Sequence, residues 1–333
     1  MIKVKHLNKA FGSIPVLRDL NLTVNGPLVL MGPSGRGKTT LLRILMGLET
    51  PDSGTVQGVG NIGAVFQENR LCPQLTAVGN ICLVGGVNPA QAQAELQTLG
   101  FTQAELALPV ARLSGGQQRR TALLRALLCQ PVQTLLLDEP FAAIDAKVRQ
   151  ELRSWLKEMI SKLGVTSIFV THDQDEAIEV ADEIIITNRG HIEQMGTPIE
   201  IYRHPQTAFT ASFFGQTSVL ADYQKYHTFQ RMDGVEKAIV RPEFLKITRK
   251  NEVQKYGSSA SKGVVERTSF RGDWIELAVR VHGDLLIAKR DLEEEPITVG
   301  ETVDVFLYRL FVIAGEKCYL LENQSLQDDS VFI

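Results

Sequence analysis

The sequence is poor in cysteine, and its four cysteines show no paired spacing. They stand at Cys72, Cys82, Cys129 and Cys318. A structural zinc site requires closely spaced ligands such as C-x₂-C, and a disulfide framework uses many cysteines in a short secreted chain. The sequence therefore predicts neither kind of site, and it fits a reducing cytoplasm.

Long apolar runs are also absent. No segment approaches the roughly 18 consecutive apolar residues that a bilayer-spanning helix needs. The first residues, Met1–His6, lead directly into a strand-like alternation and lack the apolar core of a signal peptide. We therefore expect a cytoplasmic chain, and any role at a membrane would be peripheral and would depend on a partner.

An excess of positive charge, which marks many nucleic-acid-binding chains, is missing as well. The chain has 35 Lys and Arg residues against 38 Asp and Glu residues, a formal net charge of −3. This balance gives no support for nucleic acid as a partner. Hydrophobic residues make up 44% and charged residues 22%, which is typical of a folded globular protein. At 333 residues the chain is too long for one ordinary core, so we expect two domains.

A phosphate-binding loop is the clearest motif that is present. Residues 32–39 fit G-x-x-x-x-G-K-[ST] and stand between an apolar run (28–31) and a helical pattern (40–46). In that context the loop N–H groups and the helix N-terminus face the same anion. Lys38 is expected to reach the β- and γ-phosphates, and the Thr39 hydroxyl to bind Mg²⁺. The candidate ATP-binding residues are Gly32, Pro33, Ser34, Gly35, Arg36, Gly37, Lys38, Thr39 and Thr40.

The segment 134–138 predicts a buried strand that ends in two carboxylates. Asp138 and Glu139 follow three consecutive leucines, so an ordinary solvated strand end is the weaker interpretation. In phosphate-loop ATPases the first acid belongs to the Mg²⁺ environment. A neighbouring Glu can orient or deprotonate the attacking water.

Two further strand-like runs also end in polar side chains. Gln67 follows residues 62–66, and His172 follows residues 167–171. Ligands of open α/β sheets bind at the carboxyl ends of the strands, so Gln67 could face the metal and His172 a γ-phosphate. Taken singly, each of these residues also fits an ordinary structural role.

Two more features have both a structural and a functional interpretation. Ser114 is a candidate helix N-cap, and the glycines 115–116 expose backbone N–H groups, which makes a second helix start suited to an anion. Phe11 could stack on an adenine ring or be an ordinary edge-strand residue. Neither feature decides the matter alone.

Taken together, these motifs resemble the ATP-binding cassette of ABC transporters. They occur in the family's own order, and the Leu-Ser-Gly-Gly-Gln signature so close upstream of Leu-Leu-Leu-Asp-Glu-Pro is highly specific. Asp145 matches the family's D-loop and His172 its switch histidine. The matching positions in chain order are Phe11, residues 32–39, Gln67, residues 113–117, residues 134–139, Asp145 and His172.

The resemblance implies an α/β P-loop NTPase cassette, with a RecA-like core and a helical subdomain at about 68–120. It implies an ATPase in which two cassettes close head to tail around two ATP molecules. Each nucleotide then lies between one chain's Lys38 loop and the other chain's signature, for which the positions are Ser114, Gly115, Gly116 and Gln117. Glu139 would be the general base and His172 the γ-phosphate sensor. The Mg²⁺ that accompanies ATP would be surrounded by Thr39, Gln67 and Asp138.

The same resemblance implies the partners. They are a second cassette subunit, giving a homodimer, and two transmembrane permease subunits, with an extracytoplasmic solute-binding protein acting indirectly. No nucleic acid partner is expected. The segment 67–80 would line the groove for a permease helix, so the chain would lie at the cytoplasmic face of the inner membrane as a peripheral subunit.

Two departures from the family pattern stand out. The stretch between Lys38 and Gln67 is shorter than in most relatives, which predicts a trimmed antiparallel strand region. The D-loop reads Ala-Ala-Ile-Asp where Ser-Ala-Leu-Asp is usual, so a hydroxyl near the dimer interface is missing. Neither departure touches the catalytic set, and we expect an active ATPase.

The C-terminal part predicts a small all-β domain. Strand-like runs such as 264–268, 274–279 and 302–307 are separated by Gly, Asp and Asn turns, which indicates a small barrel or sandwich. The run 239–243 resembles the start of the transport-associated OB (TOBE) domain of one importer subfamily. We therefore expect the cassette at 1–215 and an OB-like domain for regulation or dimerisation at 218–333.

The resulting expectation is an energy-coupling ATPase of an importer whose solute is ferric iron, a polyamine, an inorganic anion or a sugar. A non-transport ABC ATPase acting on DNA or ribosomes is the alternative. DNA-acting relatives usually separate loop and signature by a long coiled coil, whereas Lys38 and Ser114 are 76 positions apart (114 − 38). Ribosome-acting relatives usually carry two cassettes, and only one is found. Exporters are often fused to membrane helices, and a simple P-loop kinase lacks the signature.

Overall fold

The computed structural model describes residues 1–84, 86–128, 131–142, 144–235, 237–249, 252 and 259–326. The chain forms two compact units, Met1–Pro198 and Ile199–Ile333. The assignment of residues up to 215 to the cassette stays a prediction. No helix within the described ranges is both long and apolar enough to cross a bilayer.

The first unit combines strands and helices. Its strands are β1 (Ile2–Phe11), β2 (Ile14–Val24), β3 (Pro27–Met31), β4 (Ser53–Gln57), β5 (Ile62–Val65), β6 (Thr134–Asp138), β7 (Thr166–Val170), β8 (Glu183–Asn188) and β9 (His191–Gly196). Its helices are α1 (Lys38–Leu45), α2 (Ala77–Cys82), α3 (Pro89–Thr98), α4 (Gln103–Leu106), α5 (Gly115–Leu128), α6 (Ala146–Leu163) and α7 (Gln174–Val180).

A six-stranded sheet with the order β5-β6-β7-β3-β8-β9 forms the centre of this unit. The first five strands run parallel and only β9 is antiparallel. Both β6 and β7 are buried along their whole length, as their apolar runs 135–137 and 168–170 predict for strands covered on both faces. Leu137 pairs with Phe169, and Leu30 pairs with Val170, so the carboxyl ends of β6, β7 and β3 lie level.

A second, antiparallel sheet has the order β2-β1-β4. Its buried side chains share a core with α1 and the central sheet, through residues such as Leu7, Leu20, Leu41 and Ile168. From sequence, residues 1–31 are predicted to form short strands with turns at residues 12–13 and 25–27. The structure instead has a hairpin of 10- and 11-residue strands, because register shifts along β1 let the pairing continue through polar positions.

Helices α2 to α5 pack around a core of their own, formed by residues such as Ile81, Leu96, Leu113 and Leu124. From sequence, residues 76–110 are predicted to be helical with a break at residues 85–89, and the structure has helices on both sides of that break. Helix α2 ends at Cys82 and α3 begins at Pro89, while Gly85 lies outside the described residues.

The second unit is built mainly from antiparallel sheets. Its elements are α8 (Pro198–Arg203), α9 (Ala208–Phe213), β10 (Ser218–Leu220), β11 (Ala238–Val240), β12 (Leu245–Thr248), β13 (Ser261–Phe270), β14 (Trp274–Val281), β15 (Asp284–Asp291), β16 (Thr302–Leu307), β17 (Arg309–Ala314) and β18 (Lys317–Glu322).

Two sheets of this unit share one apolar core. Their orders are β10-β11-β17-β18 and β12-β16-β13-β14-β15. Val240 and Leu310 of the first sheet pack in the same cluster as Val265 and Leu277 of the second. The three strands predicted in this region coincide with β13, β14 and β16, and the all-β expectation is confirmed.

Candidate nucleotide-binding site

The carboxyl edge of the central sheet brings most of the predicted site residues together. Gln67 follows β5, Glu139 follows Asp138 at the end of β6, and His172 follows β7. The phosphate loop follows β3, and these four strands are neighbours in the sheet. A set of motifs spread over more than a hundred positions thus converges on one edge, which is where open α/β sheets bind ligands.

Two glycines shape the phosphate loop because side chains do not fit there. At Gly32, an added Cβ would lie 2.4 Å from the Thr187 carbonyl oxygen. At Gly37, with φ +93°, it would lie 2.6 Å from the Val16 carbonyl oxygen of β2. Gly37 also starts α1 without a side-chain cap. The first N–H groups of α1 are therefore not occupied by a capping side chain, as a phosphate site requires.

Lys38 folds back onto its own loop. Its Nζ donates to the Gly32 carbonyl at 2.8 Å and to the Pro33 carbonyl at 2.9 Å. Burial lowers the pKa of this ammonium group, while the nearby carboxylates of Glu139 and Asp138 act in the opposite direction. A phosphate with its own negative charge would replace two neutral carbonyls as the partner of this ammonium group.

Asp138 and Thr39 form a pair of oxygen donors beside Lys38. The Asp138 residue is only 8% exposed, and burial raises the pKa of its carboxyl group. The hydrogen bond from the Thr39 side chain acts against that shift, whereas the neighbouring Glu139 adds to it. A carboxylate and a hydroxyl are the hard oxygen ligands that Mg²⁺ prefers, so this pair fits the metal.

Glu139 sits on a strained backbone. Its φ is +48°, in the left-handed region that non-glycine residues adopt at a cost of about 1 kcal/mol or more. Its N–H donates to the Val170 carbonyl at 2.8 Å, which ties the turn to the end of β7. One carboxylate oxygen lies 3.1 Å from Nδ1 of His172, whose side chain is 67% exposed. The proposed base and the proposed sensor are therefore in direct contact.

Gln67 and Phe11 lie at the borders of this arrangement. Gln67 is exposed after β5, and its carbonyl accepts a hydrogen bond of 3.3 Å from Arg119. Phe11 ends β1 with 49% of its surface exposed, and Nζ of Lys9 lies 5.1 Å from its ring centre. An exposed ring beside a cation suits stacking on a purine, and the same hairpin contacts the loop where Val16 abuts Gly37.

The signature residues make their contacts within the helical region. The Ser114 Oγ accepts from the Gln117 N–H at 3.2 Å, and the Gln117 side chain accepts from the Ser114 N–H at 3.0 Å. This reciprocal pair fixes the start of α5 and leaves Ser114 and Gly115 exposed, with Gly116 half-buried. The structure therefore presents these residues outwards, where a second copy of the chain can reach them.

Asp145 is the N-cap of α6. Its carboxylate accepts from the Val148 N–H at 3.0 Å, and the residue is exposed. The side chain of Arg149 donates to the neighbouring Ile144 carbonyl at 2.9 Å. The position predicted as the D-loop thus has a structural role in this chain, and its predicted role at a dimer interface stays a prediction.

Arg119, which is only 2% exposed, was not among the residues predicted for the site. Its guanidinium donates to backbone carbonyls that follow β5 and β6 at the carboxyl edge. A signal was available in the helical spacing. Arg119 stands three, four and seven positions before Ala122, Leu123 and Ala126, all buried, so the pattern already places it on the inner face of α5.

Comparison with known families supports the prediction of an ABC cassette followed by a TOBE domain. The family described as "ABC transporter" matches residues 17–142, and the family described as "TOBE domain" matches residues 238–307. The first range contains the phosphate loop, the signature and the acid strand. The second covers most of the strands of the β unit.

Curated relatives match over most of their length. The sulfate/thiosulfate import ATP-binding protein CysA of Gloeobacter violaceus is 42% identical over 81% of this chain and 82% of the relative. The protein of the same name from Halalkalibacterium halodurans is 36% identical over 95% of this chain and 99% of the relative. Among solved structures, the dimeric structure of the bacterial ABC transporter cassette MJ0796 matches 60% of this chain and 99% of that chain, with 29% identity and a TM-score of 0.53.

The relatives are import ATP-binding proteins, which agrees with the importer function predicted from the motifs at the sheet edge. They do not favour the alternative of an ABC ATPase that acts on DNA or ribosomes. The nucleotide machinery and the TOBE unit occur together in this chain, as the sequence predicted. The chain belongs to the ABC transporter family, as an ATP-hydrolysing subunit of the importer type with a C-terminal TOBE domain.

Proposed function

We propose that this chain powers the uptake of sulfate or thiosulfate by hydrolysing Mg-ATP between two copies of its cassette. The observation that carries the proposal is the direct neighbourhood of Lys38, Asp138, Glu139 and His172 at one sheet edge. The solute class follows the names of the relatives, which are 42% and 36% identical. Among the solutes expected from the sequence, this selects the inorganic anion.

Binding of the nucleotide relies on the phosphate loop and α1. The glycine backbone and the uncapped first turn of α1 offer N–H donors, and Lys38 exchanges its two carbonyl acceptors for phosphate oxygens. Phe11 offers a face for the adenine ring. Thr39 and Asp138 would hold Mg²⁺, with the exposed side chain of Gln67 completing the set. When bound, the metal neutralises charge on the β- and γ-phosphates.

Hydrolysis relies on Glu139 and His172. The Glu139 carboxylate orients water and takes up its proton, a role that needs a fixed position more than a strong base. His172, in contact with that carboxylate at 3.1 Å, limits its rotation and presents its other ring nitrogen outwards. Because His172 is exposed, it can reach a γ-phosphate that approaches from the surface.

We propose that two copies of the chain form each complete site. Ser114 and Gly115 are exposed at the start of α5, and Gly116 is half-buried. We propose that they close the site of the other copy in a homodimer. Two transmembrane permease subunits, fed by an extracytoplasmic binding protein, would hold this dimer at the cytoplasmic face of the membrane. The exposed side chain of Leu75, near Gln67, is a candidate contact for a permease helix.

Uptake measurements in the source organism test the solute. We expect that deleting the gene abolishes uptake of radiolabelled sulfate and thiosulfate but leaves spermidine and ferric iron uptake unchanged. The wild-type chain should restore the uptake, and Lys38→Ala should not. Unchanged sulfate and thiosulfate uptake, combined with loss of another solute, would contradict the oxyanion assignment.

A further inference from the structure

The side chain of Arg119 connects the segment that holds Glu139, the proposed base, to the segment that holds Gln67, a proposed Mg²⁺ ligand. Its Nε donates to the Pro140 carbonyl at 2.6 Å, and its Nη2 donates to the Glu139 carbonyl at 2.5 Å and the Asp138 carbonyl at 3.3 Å. One guanidinium therefore binds the three consecutive carbonyls of residues 138–140, at the end of β6 and directly after it.

The remaining nitrogen of Arg119 holds the segment after β5. Its Nη1 donates to the carbonyls of Phe66 at 2.6 Å and Gln67 at 3.3 Å, and to Oδ1 of Asn69 at 3.1 Å. All three nitrogens of the guanidinium thus have partners. The planar fork of an arginine can serve acceptors on two sides at once, which the single ammonium group of a lysine cannot do.

Burial and charge make this arrangement specific. Burial lowers the pKa of Arg119 to about 10, while the carboxylates of Asp138, Glu139 and Glu176 act in the opposite direction. The side chain therefore stays protonated at neutral pH. A buried charge is tolerated only when it is paired and hydrogen-bonded. The buried guanidinium therefore needs the surrounding carbonyls as acceptors, and this requirement keeps them in place.

The backbone of Glu139 is the strained point that this cation stabilises. Its φ is +48°, its N–H is bound by the Val170 carbonyl, and its carbonyl is bound by Arg119. Both peptide groups of the residue are thus fixed, and the direction of its carboxylate follows. Arg119 is also the fifth residue of α5, the helix that begins at Gly115 of the signature.

We propose that Arg119 is a positioning residue for hydrolysis. It fixes the backbone at Glu139 and at Gln67 relative to α5, the helix that begins at the signature. When ATP held by the phosphate loop of the other copy contacts the start of α5, Arg119 transmits this contact to Glu139 and to the Gln67 segment of its own chain. The inference rests on the proposed role of Glu139 as the base.

The test is the ATPase kinetics of Arg119→Lys in the full-length chain. We expect kcat to fall about 100-fold, because a small misplacement of a catalytic group has an effect of this order. The dissociation constant for a fluorescent ATP analogue should stay within about threefold, because the phosphate loop is untouched. Arg120→Lys is the matched control, since Arg120 is the next residue of α5 and donates to the Leu99 carbonyl, away from the site. It should keep kcat within about twofold.

A double variant separates positioning from general destabilisation. If Arg119 acts through Glu139, Arg119→Lys should lower the residual rate of Glu139→Gln by less than about threefold, because coupled residues are not additive. A full additional 100-fold loss, or an unchanged kcat in Arg119→Lys alone, would overturn the inference. A wild-type rate in Glu139→Gln alone would instead contradict the assignment of the base.

Asn69→Ala provides a second variant if Arg119→Lys does not fold. It removes one acceptor at 3.1 Å and leaves the cation in place with its carbonyl partners. We expect a threefold to tenfold lower kcat, about the effect of one hydrogen bond, with unchanged affinity for the analogue. An unchanged kcat in this variant would count against the role of the Arg119 network.

Discussion

At the scale of single residues, the site contains charged side chains whose burial lowers the stability of the fold. Asp138 is nearly buried beside Glu139, and burial raises its pKa. Lys38 is buried beside it, and burial lowers its pKa. Both shifts disfavour the charged forms, which are the forms that bind metal and phosphate. Stability and function are therefore opposed at these two positions.

This opposition predicts a stabilising substitution. Because the folded-state pKa of Asp138 is raised, its ionised carboxylate destabilises the fold above that pKa, and the effect disappears as the carboxyl group protonates at lower pH. Without nucleotide, Asp138→Asn should raise the apparent Tm by about 2 °C at pH 7.5. The difference should shrink towards pH 4. A lower Tm at pH 7.5, measured by circular dichroism, would contradict the account.

Prediction from sequence at the residue scale was most specific where a motif fixes both spacing and chemistry. The phosphate loop, the acids and His172 were predicted as parts of one site, and the fold places them together at one edge. Their roles in binding and hydrolysis stay predictions. Arg119 was missed because polarity alone does not distinguish a solvated arginine from one that binds six acceptors. The backbone strain at Glu139 could not be predicted from the sequence either, because it depends on the hydrogen bond that its N–H donates to the Val170 carbonyl of β7.

At the scale of elements, the phosphate loop depends on where glycine is required. Gly37 and Gly35 both have positive φ, at +93° and +71°. A Cβ at Gly37 would collide with β2, whereas a Cβ at Gly35 would have no atom of the described residues within 4 Å. Alanine at Gly35 would introduce backbone strain alone, whereas alanine at Gly37 would introduce both strain and a steric clash. Comparing the two variants therefore distinguishes the two effects.

We expect Gly37→Ala to be the more destabilising of the two changes. Gly35→Ala should cost about 1 kcal/mol, which is the strain of a left-handed alanine. Gly37→Ala should cost at least about 2 kcal/mol, because the loop must also move away from Val16. Urea denaturation without nucleotide measures both values. Equal losses would show that the contact between loop and hairpin does not matter.

The segment after Gln67 allows a prediction about the permease. Leu75 is 38% exposed, whereas Leu71 is partly buried against the core of helices α2 to α5. Leu75→Glu should therefore keep the fold and the basal ATPase of the isolated chain but prevent co-purification with the permease subunits. Leu71→Glu should lower the Tm. Normal co-purification of the Leu75→Glu chain would place the permease contact elsewhere.

Strands and helices were predicted well where burial imposes a clear period. Three consecutive apolar residues stand in each of β6 and β7, and the helical pattern of residues 147–163 predicts α6. The length of the β1–β2 hairpin was underestimated, because its pairing passes through polar residues and register shifts. Such pairing depends on a partner strand that no local pattern reveals.

At the scale of the whole molecule, the two units suggest separate tasks. The site residues from Phe11 to His172 all lie in the unit that ends at Pro198. In the second unit, Phe214 is buried and its carbonyl accepts from Arg241 at 3.0 Å, so residues near 215 have partners further along the chain. A truncation series can therefore test both the boundary and the role of the β unit.

We expect residues 1–198 to form a soluble cassette that binds ATP but hydrolyses it slowly at low concentration. If the β unit pairs two chains, its loss turns cassette closure into an ordinary bimolecular event, and a higher protein concentration should restore much of the rate. Residues 1–215 provide the comparison. Equal stability of the two chains would support a boundary at 198, whereas a more stable 1–215 chain would support a boundary at 215. A folded 1–198 chain that does not bind ATP would show that the β unit belongs to the site.

We propose that Glu139 is the general base for ATP hydrolysis in a dimer closed by two signatures, and one measurement tests this arrangement directly. Light scattering on a sizing column should show that Glu139→Gln changes with Mg-ATP into a more compact dimer that retains two ATP molecules. The wild-type chain should release ADP under the same conditions, and Ser114→Arg combined with Glu139→Gln should not retain ATP in this way. A Glu139→Gln chain that turns ATP over at the wild-type rate, or that traps no nucleotide at saturating Mg-ATP, would contradict the account.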